Sequence, residues 1–232
     1  DFYFFYNLLK NGTKFSFSKY ADGEYAKLVN QRIATQDNWA FNPDTDFKSR
    51  EELLDSFRFN ENGYYVGISC PCCQPMAHVQ WMRDNVGVYK DHLTWANIFV
   101  NGNYKKFVEN FIPEFNNHEI ILVGTEKGDP STLPFKVEKY IPIGTAAFRD
   151  NLNLVTELPQ ENYQNKLFLF CAGPLGNMLA AKMWKHNKNN IYMDIGSTLN
   201  PWLAVHDGKY VSGANRGYLF DNIPTSKKIC IW

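Results

Sequence analysis

LFLFCAGPLGNMLAAKMWKH (167–186), followed by IYMDIG (191–196), is the stretch that decides the fold. LFLFC is apolar at every position, the pattern of a strand buried on both faces rather than half-exposed. Ala172-Gly173-Pro174-Leu175-Gly176 breaks it with a turn, and NMLAAKMWKH then reads as a helix. IYMDIG returns to strand about one crossover later. Strand, glycine-containing turn, helix and strand make a parallel βαβ unit.

The same order recurs outward along the chain. KFSFSK (14–19) passes through ADGE into YAKLVNQ, and YYVGIS (64–69) passes through CPCCQ into a helix around PMAHVQWMRDN. WANIFV (95–100) is expected as a strand that leads through NGN into the helical YKKFVENFIPEF. EIILVG (119–124) runs into the loop TEKGDPSTL, and KYIPI (139–143) leads through Gly144-Thr145 into one helix near AAFRDNLNLVTEL. Alternating strands and helices predict an α/β fold, a largely parallel sheet with helices on both faces. LAVHDGKYVSG is different: an Asp207-Gly208 turn between alternating residues predicts a hairpin, a small irregular C-terminal addition. Residues 1–232 read as a single domain, and the start at Asp1 without Met reads as a cut from a longer chain.

Composition narrows the function. The 232 residues are 44% hydrophobic and 16% aromatic, sufficient for a sizeable core. Lysine plus arginine equals aspartate plus glutamate at 24 each, so long-range charge gives no hint of a nucleic-acid partner and none is expected. No apolar run approaches the roughly 18 residues that span a bilayer. DFYFFYNLLKNG lacks the basic flank and small-residue cleavage site of a signal peptide. Five cysteines, three of them crowded into CPCC, do not resemble a disulfide framework and suggest a reducing, cytoplasmic setting. Cys70, Cys72, Cys73 and His78 offer zinc ligands, but vicinal cysteines fit one tetrahedral ion poorly, and a loop with buried thiols is the expectation.

Ligands in open α/β sheets bind beyond the carboxyl ends of the strands. There the sequence places Asp22, Glu24, Ser69, Asn101, Glu126, Thr145, Gly173, Asp194 and Gly196. Asp22 and Glu24, two apart, would face one ion if the backbone there were extended, and hard carboxylate oxygens suit Mg²⁺ or Mn²⁺. The same acids equally suit the first turn of a helix. Gly173 and Pro174 precede a helix N-terminus, a seat for a phosphate, although GxGxxG is lacking. Asp194 and Glu126 are the candidate general bases, each able instead to hold a sugar hydroxyl. Asn101 and Tyr104 are candidate donor contacts, and Trp202 and Tyr218 candidate walls of an acceptor groove; His206 is expected to be exposed.

These stretches together resemble the GT-D-type glycosyltransferases, a bacterial family with a DxE motif that acts on glycans of surface adhesins. Lys19-Tyr20-Ala21-Asp22-Gly23-Glu24 is similar to the family's early motif, with Lys19 where arginine is usual. Gly173-Pro174, the helix after them and Asp194-Ile195-Gly196-Ser197 are similar to the late motif, with Ser197 in place of histidine. ILVGTEKGD and IPIGTAAF are similar too, so the resemblance spans roughly residues 14 to 202. It implies a Rossmann-like sheet, Mn²⁺ or Mg²⁺ on Asp22 and Glu24, and a nucleotide-sugar donor, with UDP preferred. It further implies Lys19 as a positive charge near the diphosphate, and a glycan or glycoprotein acceptor. The alternatives are a nucleotide-cofactor enzyme such as a methyltransferase, or a nucleotide-sugar-binding module without turnover.

Overall fold

The structure is a computed structural model that describes residues 1–34 and 40–203, together with the backbone of 205–206 and 209–210. In chain order the strands are β1 (Ser16–Lys19), β2 (Ile33–Ala34), β3 (Ala40–Phe41), β4 (Tyr64–Ile68), β5 (Leu93–Trp95) and β6 (Ile120–Thr125). β7 (Lys139–Ile143), β8 (Leu167–Phe170), β9 (Ile191–Asp194), β10 (Val205–His206) and β11 (Lys209–Tyr210) follow. The helices are α1 (Phe2–Lys10), α2 (Asp22–Leu28), α3 (Phe47–Arg58), α4 (Met76–Asn85) and α5 (Tyr104–Phe115). The shorter α6 (Ala147–Asp150) and α7 (Leu154–Glu157) precede the long α8 (Pro174–His186), and α9 (Asn200–Leu203) comes last.

Among the described residues the central sheet has seven strands in the order β5-β4-β1-β9-β8-β6-β7. Every neighbouring pair in it is parallel, as the alternation of elements predicts. The β5-β4-β1 half winds like a Rossmann sheet, while the other half is entered at β6 and works back to β9 beside β1. The apolar run of β8 is explained by its two faces. Phe168 and Phe170 enter one core with Tyr20, Phe57 and α8, and Leu167 and Leu169 enter the other with Phe17, Phe107 and Phe111. A strand buried on both sides stays apolar wherever no hydrogen-bond partner faces it, hence the continuous pattern.

α8 is buried without interruption from Pro174 to Ala181. It lies close to β1 because that strand presents serines: Ser16 Oγ donates to the Ala180 carbonyl at 2.9 Å. Pro174 opens the helix, where its missing N–H is not needed. The hairpin expectation holds, with Val205 opposite Tyr210 and His206 opposite Lys209; residues 207–208 lie outside the described ones.

Three local expectations are corrected. WANIFV is not a strand: β5 ends at Trp95, and Ile98, Phe99 and Val100 are buried as a turn that packs into the second core. Burial there follows from tertiary packing, not from sheet pairing. AAFRDNLNLVTEL forms α6 and α7, not one helix, with a turn at 151–153. α2 begins at Asp22 itself, not after the ADGE turn. α1 and α3 were not anticipated from the sequence. α1 uses its aromatic residues as core, with Phe2 edge-on to Phe111 at 5.2 Å and Phe5 4.9 Å from Phe17. Among the described residues no helix is long and apolar enough to cross a membrane.

Candidate active site

β1 continues to β4 on one side, whereas its other neighbour, β9, is reached from β8 on the far side. The crevice between the carboxyl ends of β1 and β9 is therefore the topological switch point, where open α/β sheets bind ligands. Lys19 and Asp194 end those two strands. Asp194 is 2% exposed and both its oxygens are held by backbone: Lys19 N–H donates to Oδ2 at 3.2 Å, Gly196 N–H to Oδ1 at 3.1 Å. Gly196 has φ +57°, the left-handed region that favours glycine. The Lys19 side chain lies against it, so a Cβ at Gly196 would sit 3.1 Å from Lys19 Cε and 3.3 Å from Nζ. The turn after β9 thus brings an ammonium group to a buried carboxylate.

Asp22 and Glu24 do not lie on extended chain. Both belong to the first turn of α2, where residues two apart point about 200° away from each other. The shared orientation inferred from extended spacing is corrected accordingly. Asp22 is exposed, and Glu24 is 7% exposed and folds back so that Ala21 N–H donates to its Oε2 at 2.9 Å. That bond is the Glu half of a capping box, which fixes the carboxylate at the mouth of the helix.

Burial pushes the Asp194 carboxyl up to about 7; the Lys19 ammonium opposes this, Glu24 adds to it, and the two backbone N–H groups also oppose it. Burial likewise raises Glu24, with Lys19 and the Ala21 N–H pulling it back and Asp22 pushing it further up. Two buried acids and one lysine therefore share a field at the switch point, the environment in which catalytic groups are tuned. Buried polar atoms gather along the same edge: Ser69 Oγ, Asn177 Oδ1 and Thr198 Oγ1 have no hydrogen-bond partner. Native interiors leave few such atoms, and their position beyond the strand ends is that of a polar ligand site.

The other expected residues divide. Gly173, at φ +52°, turns the chain into Pro174 and α8, and the Gly176 N–H closes back on the Gly173 carbonyl at 2.8 Å. Gly176 packs against the ends of β8 and β9, so a Cβ there would lie 3.1 Å from Phe170 Cβ and 3.4 Å from Asp194 Oδ1. The α8 N-terminus and Asp194 are thus one locus. Glu126 is exposed at the end of β6, its N–H continuing the ladder to the Ile143 carbonyl at 2.9 Å. It stands two strands from β9, roughly 10 Å by sheet spacing. Asn101 sits at the β5 end of the sheet with the thiols of Cys70 and Cys73, three strands from Asp194. Tyr104 OH donates to the Thr198 carbonyl at 3.0 Å, which ties α5 to the loop after β9. Trp202 packs on the second core and its carbonyl accepts from Thr132 Oγ1 at 2.9 Å; Tyr218 and the His206 side chain lie outside the described residues.

Two site residues escaped the sequence reading. Asn177 Nδ2 donates to Ser18 Oγ at 3.1 Å and to the Lys19 carbonyl at 2.7 Å, fastening the end of β1 to α8. A single polar residue inside the otherwise apolar LGNMLAA was the available signal. Lys27, fully buried on α2, bonds Ser49 Oγ at 2.9 Å and lies 3.7 Å over the Phe148 ring. Among the described residues the tight three-ligand cluster is that of Cys70, Cys72 and Cys73, not of the carboxylates.

No protein-family model matches the chain, and no curated protein matches it. Solved structures do. A structure of domain of unknown function 1792, described as having a distinct glycosyltransferase fold, is 14% identical at a TM-score of 0.61, covering 94% of this chain and 87% of that one. A structure described as a new glycosyltransferase of the same domain, from Streptococcus sanguinis, is 11% identical at a TM-score of 0.62, covering 96% and 92%. The chain therefore has the fold of the domain-1792 structures, a distinct glycosyltransferase fold, in line with the GT-D resemblance of its motifs.

Proposed function

We propose that this chain is a metal-dependent glycosyltransferase that moves a hexose from a nucleotide-diphosphate sugar, UDP foremost, to a glycan or glycoprotein acceptor. The observation that carries the reading is the group of Asp194, Lys19 and Glu24 at the β1–β9 switch point of a glycosyltransferase fold. The acids suit a hard divalent cation, because Asp22 raises Glu24 and Glu24 raises Asp194, the crowding of negative charge that such an ion relieves. Glu24 would hold Mn²⁺ or Mg²⁺ directly, and Asp22, which leaves the first turn of α2 on another side, would contribute through its charge. Bound there, the ion supplies neutralisation of the departing diphosphate.

The chain's own groups do the rest. Lys19 adds positive charge beside the diphosphate, and the start of α8 at Gly173-Pro174 offers helix-terminal N–H groups to it. Asp194, with a carboxyl near neutrality, accepts the proton of the acceptor hydroxyl as that oxygen bonds the anomeric carbon and the bond to the diphosphate oxygen breaks. Glu126, exposed at the β6 end, suits a contact to a sugar hydroxyl. A reducing, cytoplasmic setting is part of the same reading.

The test is release of nucleotide from a panel of UDP-, GDP- and dTDP-sugars, with and without Mn²⁺. Metal-dependent release from a UDP-sugar is expected. The reading fails if no donor is turned over or bound while S-adenosylmethionine binds.

A further inference from the structure

CPCC reads in sequence as a poor metal site, yet the fold gathers its sulfurs. The Sγ atoms of Cys70, Cys72 and Cys73 all lie within 4.8 Å of one another at the carboxyl end of β4. A tight turn does this: the N–H groups of Cys73 and Gln74 both donate to the Cys70 carbonyl, each at 3.0 Å. Pro71 occupies the second turn position, where its fixed φ is preset. The turn brings the ends of a Cys-x-x-Cys pair together, and Cys72 closes the triangle, its Sγ 2.9 Å from that of Cys70.

Side-chain amides face the sulfurs from the next strand end. Asn97 Nδ2 lies 3.3 Å from Cys73 Sγ and 3.8 Å from Cys70 Sγ, and Asn101 Nδ2 lies 3.8 Å from Cys73 Sγ. Asn101 is 3% exposed and held at φ +55°, a conformation few non-glycine residues adopt. N–H groups directed at sulfur favour the thiolate, the form that binds metal, and are the usual second layer around a thiolate-held ion.

We propose that Cys70, Cys72 and Cys73 form a site for one thiophilic divalent cation of the zinc class, with a fourth position left to water. A Zn–S bond of about 2.3 Å places tetrahedral sulfurs about 3.8 Å apart, between the closest pair here and the outer limit of the cluster. His78 is not the fourth ligand. Its ring stacks on Tyr25 at 4.2 Å and its Nδ1 faces Gln74 Oε1 at 3.4 Å. A disulfide would use two sulfurs and leave Cys73 and its amide donors unmatched, whereas a cation uses all three. Binding converts three thiols to thiolates and releases three protons. Thiolates select against Mg²⁺ and Mn²⁺, so this site is chemically separate from Asp22 and Glu24. Tyr25 directly follows Glu24 on α2 and stacks on His78 of α4, so an ion in the loop before α4 would steady one wall of the crevice.

The experiment titrates the reduced, chelator-treated chain with Co²⁺ and then with Zn²⁺. The expected result is a thiolate-to-cobalt charge-transfer band that saturates at one ion per chain, collapses on zinc addition, and is accompanied by proton release. Cys73→Ser and, as a second variant at the partly exposed position, Cys72→Ser should each weaken cobalt binding by about tenfold or more while keeping the circular dichroism of the parent. Cys171→Ala should retain the band. Cobalt on carboxylates gives no sulfur band, so the result is independent of whether glycosyl transfer is found. Absence of the band in fully reduced protein, or its persistence in both serine variants, overturns the proposal.

Discussion

The two edges of the central sheet solve the problem of polar groups in opposite ways. At the amino edge Lys166, just before β8, places Nζ 2.6 Å from Glu119 Oε2 and 2.7 Å from Glu138 Oε2, the residues just before β6 and β7. Hydrogen bonding to Lys166 holds the Glu119 carboxyl below its ordinary value, and Glu119 and Glu138 hold Lys166 above its own. Asn190 Oδ1 accepts the Lys166 N–H at 2.9 Å, and Asn190 Nδ2 donates to the Tyr192 hydroxyl at 3.0 Å. Charge there meets opposite charge at the surface. At the carboxyl edge Asp194 and Glu24 are buried and raised, and Ser69, Asn177 and Thr198 carry unmatched atoms. The charges before β6, β7 and β8 are matched within the fold, whereas buried acids collect at the carboxyl edge, the side on which open α/β sheets bind ligands.

The sharpest way to break this contrast is Asp194→Asn. Turnover should fall by about 10²- to 10⁴-fold, the span of general-base catalysis, as read by nucleotide release at saturating donor. The same variant tests the buried charge. A carboxyl raised from 3.8 to about 7 means the native state binds more protons than the unfolded chain between those values. Stability should therefore decline as pH rises from about 4 to 7, and Asp194→Asn should flatten that slope in denaturant titrations. A slope unchanged in the variant would show that Asp194 is not the strained group.

Next in size is the acidic pair at the start of α2. Glu24→Gln should abolish the Mn²⁺ requirement together with most of the turnover, and Asp22→Ala, at an exposed position, should mainly raise the metal concentration needed. If metal-dependent donor hydrolysis is the same in Asp22→Ala as in the parent, the ion is held elsewhere. A smaller effect is expected at Lys27, where burial pulls the ammonium down to about 7 and Asp46 and Glu24 oppose this. Between that value and 10.5 the unfolded chain binds the extra proton, so stability rises with pH across the window. Lys27→Met, close in shape and uncharged, should lose that rise. A rise retained in Lys27→Met would place its origin in another group.

How much of this contrast was legible beforehand depends on the range of the interactions. LFLFC and IYMDIG announced their strands because burial on both faces is written into consecutive residues, whereas KYIPI, at a largely exposed sheet edge, was legible from its aromatic and β-branched content. The cluster of candidate residues beyond those strands followed from strand direction alone. WANIFV misled because an apolar turn dropped into a core has the composition of a strand. The orientation of Asp22 and Glu24 was missed because one residue, the first of α2, decides whether they point together or apart. The placement of β9 beside β1, which joins Lys19 to Asp194, rests on a strand order that no local pattern encodes. The sulfurs are gathered by a local turn whose geometry the composition of CPCC did not reveal, and the two asparagine amides that face them come from a different strand end.

The smallest effect belongs to the amino edge, and its smallness is the point. Lys166→Met removes the cation shared by Glu119 and Glu138. Those carboxylates remain partly exposed, so water takes over from the ammonium and the loss is largely screened. The melting midpoint should shift close to measurement error, and more in low salt than in high. Metal-dependent turnover should equal that of the parent chain, since the whole length of the strands separates Lys166 from Asp194. A large loss of turnover with an unchanged midpoint would mean that the two edges are coupled through β8 and β9. The division between an edge built for stability and an edge built for chemistry would then have to be abandoned.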